Sequence, residues 1–326
     1  MSVPLAILLG VLVSASLACG GGDDSDDATG VTPTRSDRRT TFGTTGTPAA
    51  TAAPTDVIAG PTQRPTRMPT PDPGPAPGED PQGDQLLYLA LGDSLSEGIG
   101  ASKEKRTAWV PLVSIGLGGE YELLNLGVAG DDSEELIEDG PLDRALAEIS
   151  QRKGDGVPDN EVAAISLEIG GNDLLDIYFD LVIPGDCPTV IESFQRPDCV
   201  QRLEDALARY QPNLRYTLDI LQTAAPGVPI YLMTLYNPFS GGSTILDEFG
   251  ILALEGLDGT VFPEGVNDII RAEAAAHPGV VLVDWYPLFL NKQQEYISLD
   301  FIHPNDTGHR VMADAVLTAM AQSGLP

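Results

Sequence analysis

The sequence predicts an α/β fold, a three-layer α/β/α sandwich in which a mainly parallel five-stranded sheet lies between helices. Two observations lead to this fold class. Five short, continuous apolar segments recur between residues 86 and 285, and such segments are typical of strands that are covered on both faces. Helical patterns separate them, and regular alternation of strand and helix favours a parallel sheet.

The predicted strands are apolar runs bounded by turn-forming residues. They cover residues 86–91, 121–126, 162–169, 229–235 and 280–285. The predicted helices cover residues 107–117, 133–149, 200–223, 266–276 and 305–321. The third helix carries apolar residues at spacings of three and four, and Pro212 lies inside it. Because proline cannot donate a backbone hydrogen bond, we expect Pro212 to kink or break this helix.

The first 82 residues differ in composition from the rest of the chain. Residues 1–18 are apolar and end in small side chains, as in an export signal peptide. The sequence "SLAC" resembles a bacterial lipobox, which implies that Cys19 carries a lipid that anchors the chain to a membrane. A simple signal peptide and a membrane-spanning helix remain alternatives. Residues 19–82 are rich in Thr, Pro, Gly and Asp, which predicts a disordered stalk.

Charge and cysteine content restrict the partners and the compartment. Lys and Arg number 18 against 48 Asp and Glu, a net charge of −30 that excludes nucleic acid as a partner. Apart from Cys19, the chain has Cys187 and Cys199, which we expect to form a disulfide in an exported protein; two unpaired thiols are the alternative. We therefore expect residues 83–326 to form an extracytoplasmic domain, anchored at the cell surface or secreted, and monomeric.

The candidate chemistry centres on Ser94, which directly follows the first predicted strand in "LALGDSLSEG". A serine hydroxyl needs a neighbouring base, and the base needs an orienting group. Of the three histidines, His303 has Asp300 three residues before it, close enough to orient its ring. His277 and His309 suit structural positions at a helix end and within a helix. A metal site of Asp300, His303 and His309 is a weaker alternative.

Two further segments follow predicted strands and offer hydrogen-bond donors, "NLGVAGDDS" and "EIGGNDLL". With "GDSL" and "DFIHP", these segments resemble the SGNH hydrolases, the GDSL family of esterases and lipases, from residue 86 to the C-terminus. The resemblance implies a flavodoxin-like fold, a catalytic triad of Ser94, Asp300 and His303, and an oxyanion hole formed by the Ser94 and Gly130 N–H groups and the Asn172 amide. It implies no metal and no organic cofactor.

The resemblance also implies a function. It indicates a serine hydrolase that cleaves acyl esters through an acyl-enzyme, with lipid or short-to-medium-chain esters as substrates. A deacetylase acting on extracellular or cell-wall polysaccharide and a non-catalytic surface-displayed binding domain are the alternatives. Two residues depart from the family pattern: Glu168 inside the third strand, which could pair with a polar neighbour, and Phe301, which could line the acyl pocket. The apolar segment 236–265 could cover that pocket, and the loop between the two cysteines could form its opposite wall.

Overall fold

The computed structural model describes residues 85–154, 156–157 and 160–325. The predicted signal peptide 1–18, Cys19 and the predicted stalk to residue 82 lie outside these residues, so those predictions and the domain boundary at residue 83 stay predictions. Within the described part of the chain, no helix combines the length and the hydropathy needed to cross a membrane.

Five strands form one parallel sheet in the order β2-β1-β3-β4-β5. They are β1 (Leu86–Gly92), β2 (Tyr121–Asn125), β3 (Val162–Glu168), β4 (Ile230–Met233) and β5 (Val280–Val283). The predicted α/β sandwich is therefore confirmed, and its strand order is the flavodoxin-like one. Each strand lies within a predicted segment or ends within one residue of it.

The helices agree less well with the predicted bounds than the strands do. The predicted helix 133–149, for example, is two helices separated at Gly140, which has a φ of 103°. The helices and helical turns of the described residues are α1 (Ser94–Glu97), α2 (Glu104–Thr107), α3 (Trp109–Leu117), α4 (Glu135–Glu138), α5 (Pro141–Gly154), α6 (Gly171–Ile177), a π-helical turn (Tyr178–Val182), α7 (Val190–Ser193), α8 (Pro197–Ala224), α9 (Thr244–Glu255), α10 (Val266–Ala276), a 3₁₀ turn (Tyr286–Phe289), α11 (Gln293–Tyr296) and α12 (Asp306–Gln322).

The sheet separates two hydrophobic cores, because successive side chains of a strand point to opposite faces. Leu89 of β1 belongs to a core shared with α5, α8, α9 and α10, whereas its neighbour Tyr88 belongs to a core shared with α3 and α12. In the second core, Trp109 and Trp285 meet edge to face with ring centroids 5.2 Å apart. Helices thus cover both faces and leave the strand ends free for a site.

Pro212 does not break α8, so of the predicted kink or break, the break is wrong. The helix runs without interruption from residue 197 to residue 224. Both Pro212 and Ala208, whose carbonyl loses its hydrogen bond to residue 212, are exposed, so water can satisfy that carbonyl. The buried stripe, which includes Tyr210 and Leu214, packs against the sheet on the other side of the helix and holds it together.

The predicted disulfide between Cys187 and Cys199 is present, with the two Cα atoms 6.1 Å apart. Both cysteines are buried. The bond closes a loop that contains α7 and ties the segment after the π-helical turn to the first turn of α8. The disulfide therefore holds together a part of the chain that has only short helices.

Replacing both cysteines with alanine is expected to lower the free energy of unfolding. The two cysteines are 12 positions apart in the sequence. Closing a loop of about 13 residues lowers the conformational entropy of the unfolded chain, which stabilises the folded state by about 3 kcal/mol at room temperature. Urea denaturation of the full chain checks this value, and reduction of the wild-type protein by dithiothreitol should reproduce the loss. An unchanged unfolding midpoint in both experiments would contradict the structural role of the disulfide.

Candidate active site

The candidate residues gather at the carboxyl end of the sheet. Ser94 follows β1 directly, Gly130 lies in the loop after β2, and Asn172 lies in the first turn of α6 after β3. Asp300 and His303 lie in the loop that leads from α11 to α12. The chain passes from β1 to β2 on one side and then crosses to β3 on the other side of β1. The strand order reverses at this point, and the crevice between the loops is the usual binding site of such sheets.

Gly92 and Asp93 shape the turn that presents Ser94. Gly92 has a φ of 151°, and a Cβ at this position would overlap the carbonyl oxygen of Glu168 on β3. Only glycine therefore allows the chain to leave β1 so close to its neighbour. The Asp93 carboxylate then accepts a hydrogen bond of 2.9 Å from the Leu95 N–H and caps α1. Asp93 therefore holds the turn in place.

Three side chains form a continuous hydrogen-bonded relay. The Nε2 atom of His303 lies 2.9 Å from the Oγ atom of Ser94, and its Nδ1 atom lies 2.7 Å from an Oδ atom of Asp300. Both distances are within hydrogen-bonding range. With Nδ1 protonated and donating to Asp300, the tautomer has Nε2 free to accept the Ser94 proton. The structure thus brings together the three residues predicted for proton transfer.

Local hydrogen bonds keep Asp300 ionised. Partial burial alone would raise the pKa of Asp300, but donors around the carboxylate outweigh burial and lower the pKa to about 2. These donors are the N–H groups of Ile302 and His303, both at 3.0 Å, the Ser298 hydroxyl at 2.7 Å and the His303 ring. A carboxylate held in this way can accept the Nδ1 hydrogen and stabilise an imidazolium.

The predicted oxyanion donors lie at the start of α1, in the loop after β2 and in the first turn of α6. The amide Nδ2 of Asn172 donates to the carbonyl of Asp131, next to Gly130, at 2.8 Å and makes a longer contact of 3.4 Å with the Asp93 carboxylate. The short bond fixes the amide, while the long one to Asp93 is the weaker of the two and is the bond that an oxyanion would displace. Neither the N–H of Ser94 nor that of Gly130 donates to any described residue. These groups are therefore free to bind a negatively charged oxygen.

A buried carboxyl pair lies beneath the Ser94 turn. The Glu168 carboxyl is fully buried beside the carboxyl of Asp93, and neither of its oxygens accepts a hydrogen bond from the described residues. The neighbouring Ser96 hydroxyl donates instead to the Leu91 carbonyl at 3.3 Å. Two carboxyls can bond only when one of them keeps a proton. Burial, together with the nearby charge of Asp93, raises the pKa of Glu168 well above its usual value.

This pair limits the charge beneath the candidate oxyanion hole to a single negative charge. Burial also raises the pKa of Asp93, but the hydrogen bonds from Leu95 and Glu168 oppose this and favour its ionised form. The proton therefore stays on Glu168. The sequence shows the departure of a glutamate inside an apolar strand, but not its partner, because the contact depends on how closely β1 and β3 approach.

An apolar pocket, here called the acyl pocket, opens beside Ser94 and His303. It encloses about 620 Å³ of space, part of which is open to solvent. Side chains of α6, the π-helical turn, the segment after β4 and α9 line it, among them Leu174, Tyr178, Phe239, Ala253, Leu254 and Ile302. The segment 236–265 thus contributes a wall through α9. The loop between the cysteines borders a second cavity behind Leu174 and Tyr178, so the expectation that it lines the acyl pocket is wrong.

The two remaining histidines are structural. His309 is fully buried, accepts a hydrogen bond from the Trp109 N–H at 3.3 Å and contacts the Ile99 carbonyl at 3.1 Å. Burial lowers the pKa of His309 to about 4, which keeps the ring neutral. His277 ends α10 and contacts the Glu273 carbonyl at 2.7 Å. Within the described residues, no group of three histidine, cysteine or acidic side chains could hold a metal ion.

Comparisons with known proteins identify the family of this chain. The model of the GDSL-like Lipase/Acylhydrolase family matches residues 90–311. The chain is 24% identical over 250 residues to the uncharacterized protein YpmR of Bacillus subtilis, covering 74% of this chain and 84% of YpmR. It is 23% identical over 246 residues to the spore germination lipase LipC of Bacillus licheniformis, covering 72% and 96%. The lipase Lip_vut3 from a goat rumen metagenome has the same fold, with a TM-score of 0.52 at 20% identity over 72% of this chain and 97% of that one.

The protonated Glu168 predicts a specific pH dependence of stability. The folded chain keeps a proton that the unfolded chain releases above the ordinary pKa of 4.5, so the Glu168 contribution to stability falls as pH rises toward the folded-state pKa. Glu168→Gln keeps a neutral donor of similar shape without titrating. Between about pH 5 and about pH 8, the free energy of unfolding of this variant minus that of the wild type should increase by up to about 1.4 kcal/mol per pH unit.

Urea denaturation at each pH measures this difference. Glu161→Gln is the matched control, because Glu161 is exposed and immediately precedes the same strand; its unfolding curve should follow that of the wild type. A constant difference between wild type and Glu168→Gln across the pH range would show that Glu168 is ionised in the folded protein.

Proposed function

The chain belongs to the GDSL-like lipase/acylhydrolase family and is thus a carboxylic ester hydrolase, and from this premise we propose that it acts through an acyl-enzyme on Ser94. His303 is the general base and acid, and Asp300 orients it. The observation that carries this proposal is the relay from Ser94 through His303 to Asp300, with distances of 2.9 Å and 2.7 Å, at the mouth of the acyl pocket.

The first half of the reaction transfers the acyl group to the enzyme. The Ser94 Oγ attacks the ester carbonyl carbon while its proton moves to the His303 Nε2, and the charge of Asp300 stabilises the imidazolium. The N–H groups of Ser94 and Gly130 and the Asn172 amide bind the oxyanion, each contributing about 3 kcal/mol to the transition state. The intermediate then expels the alcohol, which takes the proton from His303.

The second half repeats this chemistry with water. Water loses a proton to the His303 Nε2 as it attacks the acyl-enzyme, and the same donors bind the second oxyanion. Collapse of this intermediate releases the carboxylic acid and returns the proton to Ser94. In both halves of the reaction, the His303 Nε2 takes up the proton and gives it back.

The shape of the acyl pocket supports lipid or short-to-medium-chain acyl esters as substrates. Its lining is mostly aliphatic and aromatic, so a hydrocarbon chain gains free energy on leaving water, about 0.8 kcal/mol for each fully buried methylene. An acetyl group is too short to contact most of the apolar side chains that line this pocket. This disfavours the alternative of polysaccharide deacetylation. The complete relay disfavours a domain that only binds.

We further propose that the enzyme works outside the cytoplasm, as a lipoprotein anchored through Cys19 or as a secreted protein. The Cys187–Cys199 disulfide supports an oxidising compartment. The apolar segment 1–18, which ends in small residues before Cys19, supports export. Labelling with a radioactive fatty acid in a bacterial host, compared between the wild type and Cys19→Ala, distinguishes the two forms.

Substitution of Ser94 tests the nucleophile. The full-length Ser94→Ala protein is expected to lose all turnover of p-nitrophenyl acetate, butyrate, octanoate and palmitate while it keeps its circular dichroism spectrum. Wild-type kcat/KM should be higher for butyrate and octanoate than for acetate, because more of the acyl pocket is filled. Ser114→Ala in α3 is the control and should keep wild-type rates. Wild-type rates in Ser94→Ala would refute the proposal, and a maximum at acetate would favour deacetylation.

Substitution of Asn172 tests the oxyanion hole. Asn172→Ala removes a donor that acts in the transition state, so kcat should fall by about 10² to 10³ with little change in KM. Steady-state kinetics with p-nitrophenyl butyrate give both constants. A rise in KM at unchanged kcat would instead assign Asn172 to binding of the ground-state substrate.

A further inference from the structure

A second apolar surface, here called the outer groove, adjoins the acyl pocket. It encloses about 840 Å³, part of which is open to solvent. Its lining is mostly apolar and includes Phe179, Ile183 and Phe301. Three other lining residues, Tyr178, Phe239 and Ile302, also line the acyl pocket, so the two spaces lie on either side of a shared wall. The rings of Tyr178 and Phe239 stack in this wall with centroids 5.1 Å apart.

The outer groove exposes large apolar side chains to water. Phe179 is 52% exposed, Ile183 59% and Phe301 62%. Single exposed apolar residues are ordinary on protein surfaces, but contiguous ones beside a binding site indicate a ligand. The three residues come from two separate segments of the chain, the π-helical turn with its C-terminal end and the loop that carries His303. The fold therefore gathers them around one groove.

Phe301 also has an unusual backbone. Its φ is 65°, in the left-handed region that a bulky side chain rarely occupies and that costs free energy. The sequence expectation that Phe301 lines the acyl pocket is wrong, since this conformation turns the ring into the outer groove. A strained backbone that holds an aromatic ring in solvent, two residues before His303, points to a role of the ring in binding.

The chemistry of ester cleavage indicates which part of a substrate reaches this groove. The His303 Nε2 must give its proton to the departing alcohol, so the alcohol portion lies beside His303. The acyl chain occupies the acyl pocket. Asp300, Phe301 and Ile302 of the outer groove belong to the segment that ends at His303, so an alkyl chain on the alcohol side meets this groove as it leaves the reacting centre.

We propose that the outer groove binds the hydrocarbon of the alcohol portion of the substrate. The substrate class is then esters with apolar chains on both sides of the ester bond, as in a diacyl lipid or an ester of a long-chain alcohol. This inference rests on the proposed function, because it places the acyl chain and the leaving group around Ser94 and His303. The carboxylate of Asp300, at the edge of the groove, disfavours an anionic group there.

Two esters of one acid test this proposal. The full-length enzyme is assayed with methyl hexanoate and hexyl hexanoate, both below their solubility limits, and released acid is titrated at constant pH. The acyl portion is the same, so any difference in kcat/KM reports the alcohol side. We expect a ratio of at least tenfold in favour of the hexyl ester, since about five additional methylenes are drawn out of water.

The groove variants are Phe301→Asn and Phe179→Ser. Asparagine adopts the left-handed backbone readily, so Phe301→Asn removes the ring and keeps the loop. Both variants should keep the wild-type kcat/KM for methyl hexanoate and lower the hexyl-to-methyl ratio at least threefold. The control is Ile115→Ser, because Ile115 is 66% exposed on α3, outside both spaces, and the ratio should not change.

Each other outcome overturns the proposal. A wild-type ratio near one means that the groove does not bind the alcohol chain, and so does an unchanged ratio in both groove variants. Equal losses on the two esters assign Phe301 and Phe179 to the shape of the active site rather than to the alcohol side. Failure of the wild type to hydrolyse methyl hexanoate, or full activity of Ser94→Ala on it, refutes the proposed function and with it this inference.

Discussion

The hydrogen bond between Ser94 and His303 is the contact on which the proposed chemistry depends, and it joins residues that are 209 positions apart in the sequence. The parallel sheet brings them together. Ser94 lies just beyond the carboxyl end of β1, the second strand of the sheet, whereas His303 comes from the loop before α12, which packs with α3 on one face of the same sheet. His309 of α12 also accepts a hydrogen bond from the backbone of Trp109 and contacts the Ile99 carbonyl just after α1. The core that stabilises the sheet therefore also fixes the distance over which the serine proton moves.

Electrostatics at the site depend on which carboxyls keep their protons. Asp300 receives four hydrogen bonds and stays ionised, which suits a group that supports an imidazolium. Glu168, which is fully buried beside Asp93, stays neutral, because burial and the Asp93 charge raise its pKa. An ionised pair at this place would add a second negative charge next to the developing oxyanion and would oppose catalysis. Burial raises the pKa of both carboxyls, but only Asp300 has enough hydrogen-bond donors around it to reverse that effect.

Much of the fold and of the relay follows from the sequence, since both depend on local patterns. Each buried strand is a continuous apolar run, and the Ser94, Asn172 and His303 segments each carry a recognisable motif. The effect of Pro212 on α8 does not follow from the local pattern, because it depends on which side of the helix faces water. The partner of Glu168 and the direction of Phe301 could not be predicted, since the first depends on the distance between two strands and the second on one backbone angle. Both are tertiary properties without a periodic signal.

The central claim is that Ser94 forms the covalent intermediate, and labelling tests it most directly. The full-length protein is incubated with diethyl p-nitrophenyl phosphate, whose phosphoryl group reacts with an activated serine and stays bound, and the product is digested and mapped by mass spectrometry. The account predicts one diethylphosphoryl group per chain, on Ser94, with labelling greatly slowed in His303→Ala. A label on another residue, or an active enzyme that takes up no label, would contradict it.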